Sequence, residues 1–105
     1  MPVPPEFEAD ASLLAARAVV PEHVVHRDFA DQSIALNLKT GNYHGLNPTA
    51  ARMLEELGED KTLEAAVPPL VDHFGQPREL IERDLLSLCR ALAERGLIEL
   101  HAGAD

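Results

Sequence analysis

The feature that most constrains this chain is a change of hydrophobic period near its middle. From Gln32 to Leu38 side chains alternate, with Ile34, Leu36 and Leu38 on one face and Ser33, Ala35 and Asn37 on the other. That two-residue period belongs to a β-strand. Lys39-Thr40-Gly41-Asn42 follows as hairpin-turn chemistry, because Gly and Asn tolerate positive φ. The chain returns through Asn42–Leu46 as another short strand and then meets Asn47-Pro48. Asn accepts a bond from an orphan helical amide and Pro loses nothing at the first helical position, so the period switches there from two to 3.6.

An earlier run, His23 to Arg27, reads as a first strand, and a polar turn at Asp28 and Asp31 joins it to the second. Three strands joined by short turns make an antiparallel meander whose first and third strands are edges. Three helices follow. Ala50, Met53, Leu54 and Leu57 form the first stripe, and Gly58 suits a left-handed stop. Thr62 caps a second helix, where Leu63, Val67, Leu70, Val71 and Phe74 keep helical spacing up to Gly75. Pro68 and Pro69 interrupt it, and an interior proline costs about 3 kcal/mol, so a break is expected near Val67. The third helix opens at Gln76 or Pro77 and closes at Gly96, with Ile81, Leu85, Leu88 and Leu92 as its core stripe. Leu97–Leu100 finishes as a short extended segment. The expected fold class is α+β, a three-stranded antiparallel sheet followed by three helices, similar to a winged helix-turn-helix with its strands placed first.

The 105 residues suffice for one domain, expected over residues 23–100, with an amino-terminal arm at 1–22 and a tail at 101–105. Pro2, Pro4, Pro5 and Pro21 restrict the arm. Within it, either Ser12 caps a short helix through Arg17 or Ala18–Val20 lies against the domain. The arm is acidic before its apolar run and Arg17 interrupts that run, the reverse of a secretory signal, so a cytoplasmic location is expected.

Composition removes several functions. The net charge is −9, and residues 78–95 balance four arginines against four acids, so no segment offers the basic face that phosphate tracking needs. The winged-helix likeness keeps a DNA-binding regulator as the alternative, with Arg78, Arg83 and Arg90 as readers. Glu79, Glu82 and Glu94 alternate with them, and Arg83 and Arg90 are explained as helical partners of Glu79 and Glu94. His23, His26, His44, His73 and His101 are scattered, with His23 and His26 on opposite strand faces, so no metal site is expected. Cys89, the single cysteine, forms no internal disulfide and has the neighbours of a small buried hydrophobe, and Ser87 has no local base. No catalytic set and no cofactor is expected.

What remains is an uncovered strand edge. The third strand carries Asn42, Tyr43, His44, Gly45 and Leu46, and unpaired backbone there accepts an extended peptide as an added strand. Beside the core stripe of the third helix runs a second flank of Leu80, Asp84, Ser87 and Ala91. Its small residues either leave a groove for peptide side chains or pack against the first helix.

The run Leu36-Asn37-Leu38-Lys39-Thr40-Gly41-Asn42-Tyr43-His44-Gly45-Leu46-Asn47-Pro48-Thr49-Ala50-Ala51 resembles the signature of PqqD-like proteins, also called RiPP recognition elements. Met53-Leu54-Glu55-Glu56-Leu57, the Thr62-initiated helix, Asp84-Leu85 and Leu92-Ala93-Glu94-Arg95-Gly96-Leu97-Ile98 follow in the family's order and spacing. The resemblance covers about residues 23–100. It implies three strands followed by three helices, and binding of the leader region of a ribosomally made precursor peptide. In the family the leader adds beside the third strand and packs on the third helix, which carries over to Asn42–Leu46 and to Leu80, Asp84, Ser87 and Ala91. A separate chain of this size looks most like the leader-binding proteins of lasso-peptide pathways. The partners this implies are a precursor leader, a leader peptidase and a cyclase, with no nucleic acid or membrane. Pro68-Pro69 and the amino-terminal arm depart from the pattern.

Overall fold

A computed structural model describes residues 3–30, 32–58 and 61–102. After a 3-10 turn at Pro5–Phe7 come α1 (Asp10–Leu14), β1 (Ala16–Val19), β2 (Val24–Asp28), β3 (Ser33–Asn37) and β4 (Tyr43–Leu46). Then follow α2 (Pro48–Leu57), α3 (Leu63–Phe74), α4 (Arg78–Glu94) and β5 (Glu99–Ala102). The fold is α+β, and its meander β2-β3-β4 followed by three helices fits the winged-helix description. The expected third strand is β4 and the expected third helix is α4.

The helix boundaries follow from their caps. Asn47 Oδ1 accepts from Ala50 N at 2.8 Å, and Thr62 Oγ1 accepts from Ala65 N at 3.1 Å. Pro77 precedes α4, and Gly75 and Gly96 end α3 and α4 with φ of 65° and 70°. Gly58 departs from expectation: its φ is −68°, so α2 ends right-handed, its amide bonding back to Leu54 and Glu55 carbonyls.

No break occurs at Val67. α3 runs unbroken through Pro68 and Pro69. Leu63, Ala66, Val67 and Leu70 are fully buried on one face, and interrupting the helix would sacrifice their packing. The carbonyls that the prolines deprive of partners belong to Glu64 and Ala65, both exposed residues, where solvent access lowers the cost of the lost bonds.

The amino-terminal segment is built into the domain. β1 pairs antiparallel with β5 in a separate two-stranded sheet, Ala16 opposite Ala102 and Val19 opposite Glu99. Phe7, Leu13, Ala16 and Ala18 belong to the core formed by α2, α3 and α4. Arg90 on α4 secures this segment by bonding Asp10 Oδ1 at 2.7 Å and the Glu8 carbonyl at 3.0 Å. Residues 103–105 and the expected turn residue Asp31 lie outside the described residues.

The β3 alternation resolves in one direction. Ala35 and Asn37, 2% and 3% exposed, face the helices. Ile34 and Leu36 face outward, sharing that face with Val25 and with Tyr43, which is 63% exposed. The more apolar face of the strand is therefore the outer one.

Candidate peptide-binding site

Asn37 determines how the β3–β4 hairpin sits on α4. Its Oδ1 accepts from Lys39 N at 2.9 Å and Thr40 N at 3.2 Å, shaping the turn. Its Nδ2 donates to the Gly96 carbonyl at 3.0 Å, just past the end of α4. A Cβ on Gly96 would stand 3.1 Å from Asn37 Nδ2, so both the positive φ and this approach favour glycine. Asn42 Nδ2 adds a second tie to the Arg95 carbonyl at 3.4 Å. The strand edge is thereby held at a set distance from the helix.

The register shows which edge groups are free. Asn37 N donates to Asn42 O at 2.8 Å, so residues 37 and 42 form a hydrogen-bonded pair. In an antiparallel ladder such pairs alternate, which makes Ala35–His44 and Ser33–Leu46 bonded pairs as well. His44 and Leu46 therefore direct their amides toward β3. Tyr43 and Gly45 direct theirs outward, and β4 pairs with no second strand among the described residues. Two donors and two acceptors line that edge.

Between this edge and α4 lies a groove of about 320 Å³. His44 and Gly45 form its strand side, Asp84, Ser87 and Ala91 its helix side, and Thr49, Ala50 and Met53 of α2 close one end. Of the two arrangements open for the helix flank, the structure shows the groove. The other expected site residues lie around it: Asn42 stands at the turn end of the strand, Tyr43 projects from the outer sheet face, Leu46 is buried beneath the strand, and Leu80 is half-buried one turn before Asp84. Asn47, Thr49, Ala50, Met53 and Leu88 complete the groove, although the sequence pointed to Asn47 as a cap and to Ala50, Met53 and Leu88 as core stripe. Thr49 and Ala50 carried one available signal, being small residues in the first turn of a helix that directly follows the edge strand.

The groove is nearly neutral. Burial, and secondarily the Arg95 charge, hold the His44 imidazole below its ordinary pKa, so it is uncharged at neutral pH. Asp84 is the one carboxylate among the lining residues, with Arg83 Nε 3.7 Å away. Cys89, on the core side of α4, has its thiol pushed up to about 12 by burial, which suits packing and not nucleophilic chemistry. Among the described residues no three His, Cys, Asp or Glu side chains gather as a metal site, and no helix is long and apolar enough to cross a membrane. The arginines of α4 meet acids, though not all those expected: Arg78 pairs with Glu82, Arg83 with Asp84 and Arg90 with Asp10.

Residues 32–98 match the family of coenzyme PQQ synthesis protein D. This chain belongs to the PqqD family. Two solved structures of the same fold are similar over most of their length. One is TbiB1 in complex with the TbiA(beta) leader peptide, 33% identical, with a TM-score of 0.69, covering 83% of this chain and 99% of that one. The other is a lasso peptide synthetase B1 complexed with the leader peptide, 22% identical, with a TM-score of 0.70, covering 79% of this chain and 98% of that one. No curated protein matches. The PqqD signature read from Leu36 to Ala51 thus occupies the hairpin, edge strand and helix start that build the groove. None of these matches supports the DNA-binding alternative.

Proposed function

We propose that this PqqD-family chain binds the leader segment of a ribosomally synthesised precursor peptide in the β4–α4 groove. The leader adds as a strand beside β4, and the chain presents it to a leader peptidase of lasso-peptide type, with a cyclase acting afterwards. The observation that carries this reading is the outward-directed backbone of Tyr43 and Gly45 beside the flank of Asp84, Ser87 and Ala91. The similarity to two proteins solved with leader peptides supports it. On this reading Asn42–Leu46 supplies the pairing strand and Leu80, Asp84, Ser87 and Ala91 the helix contacts, within a binding unit of residues 23–100 against which the amino-terminal segment packs. The role is that of a non-catalytic cytoplasmic partner.

A backbone hydrogen bond contributes about 1 kcal/mol net, so four of them supply a substantial part of a micromolar affinity. Side chains entering the groove supply selectivity. Titration calorimetry with synthetic leaders of candidate lasso-peptide precursors should show micromolar or tighter binding for at least one of them. Ala91→Leu, which fills the groove, should weaken that binding about tenfold. Affinity no better than millimolar, or an Ala91→Leu variant that binds like the parent, would count against this site.

A further inference from the structure

The groove does not end at Ala91. Asp84, Ser87, Ala91 and Arg95 recur at steps of three and four residues, so they form one stripe along α4 and its C-cap. At its end Arg95 meets Asn42, the residue immediately before the free edge of β4, through the bond from Asn42 Nδ2 to the Arg95 carbonyl. Directly beyond them opens a second cavity of about 540 Å³, larger than the groove itself. Ala93, Ile98 and Leu100 supply apolar wall, and Pro4 and Pro21 close it from the amino-terminal segment. The rim mixes signs, with Arg95, Glu99, His23 and His101, and so selects for neither charge.

We infer that this cavity is a second leader subsite, which takes one bulky apolar side chain, aromatic or branched, from the stretch of peptide that runs off β4 at Asn42. The inference rests on the leader-binding reading above. Continuity carries it: a strand advances about 3.3 Å per residue, so a peptide paired with Tyr43 reaches the cavity mouth within one or two further residues. An apolar wall with a few polar rim groups, in the size range of ligand pockets, suits an anchoring side chain whose backbone stays at the rim. The β1–β5 sheet thereby gains a role, since β5 carries much of one wall of this subsite and β1 holds β5 in place.

The test uses the full chain, the synthetic precursor leader that it binds most tightly, and two shortened forms of that leader, each trimmed from one end. His101→Trp fills the cavity from an exposed position on β5, and His23→Trp does so from the opposite rim should the first variant fold poorly. The full leader should bind the filled variant about tenfold more weakly than the parent. The shortened leader that lacks the anchor should bind both proteins equally. In 15N spectra the amides of Gly96, Ile98 and Leu100 should shift with the full leader and stay in place with that shortened one. Equal affinity of parent and filled variant for the full leader overturns the subsite. So does an equal weakening of all three peptides with those amides unmoved. A parent protein that binds no leader is a separate result and removes the underlying reading instead.

Discussion

β2 and β4 both border the three-stranded sheet, each paired with β3 on one side only. β2 carries His26, Arg27 and Asp28, all exposed, with the His26 ring 3.6 Å from Asp28 and Ser33 donating to the same carboxylate. Charges of this kind keep a strand edge solvated and deter pairing with another chain. β4 reads Tyr43-His44-Gly45-Leu46, with no carboxylate, no lysine and a histidine held neutral. Its groove is flanked by the small residues Ser87 and Ala91 of α4, whereas the cleft beside β2 is walled by Leu54, Glu55, Leu92 and Leu97. Two edges equivalent in topology thus differ in chemistry: one is protected against pairing, and the other is left available above a groove.

The largest effect on leader affinity should come from proline placed at matched positions on the two edges. β2 bonds β3 through residues 23, 25 and 27, shown by Leu38 N donating to His23 O, so His26 directs its amide away from β3 as Gly45 does. Gly45→Pro removes an outward donor without cutting the β3–β4 ladder and should weaken leader affinity at least tenfold, on the order of 1.4 kcal/mol. His26→Pro should leave affinity unchanged. Equal effects at both positions, read by calorimetry, would erase the contrast between the edges. The tie between hairpin and helix comes next. Asn37→Ala leaves the Gly96 carbonyl and two turn amides without their partner and should cost about 2 kcal/mol of stability, read as a fall in thermal midpoint of roughly 10 °C.

Smaller effects concern protonation. Because the His44 pKa is lowered on folding, the unfolded chain takes up a proton first as pH falls below its ordinary value near 6.5. Stability should therefore be fully present above that pH and decline below it. Leader affinity should decline with it, since a bound peptide buries the ring further. His44→Gln should flatten both pH profiles, checked by melts and titrations between pH 5 and pH 8. The smallest effect concerns the core side of α4: Cys89, its thiol at about 12, should resist alkylation in the folded protein and react freely once denaturant is added.

Much of this arrangement was legible in the sequence because local chemistry dictates it. The alternation over Gln32–Leu38, the turn at Gly41, the caps at Asn47 and Thr62 and the stop at Gly96 each act within a few residues. The rest depended on partners distant in the chain. β1 is four residues of Ala-Arg-Ala-Val, and its pairing partner lies eighty or more residues away. Pro68 and Pro69 signalled a break because local cost is visible in sequence, whereas the buried face that outweighs it is assembled by α2 and α4. Alternation in β3 identified a strand but not its inner face, and Asn37 points inward because its side chain serves Gly96 and the turn. Of the groove, the strand side and the helix side were readable. Which amides face outward was not, because that follows from register.

The most direct test of strand addition is amide hydrogen exchange at Tyr43, His44 and Gly45, followed as synthetic leader is added. In the free protein His44 should already be protected by β3, while Tyr43 and Gly45 exchange quickly; saturation with leader should slow Tyr43 and Gly45 and change His44 little. Leader that binds at saturation while Tyr43 and Gly45 continue to exchange at their free rates would contradict pairing along β4.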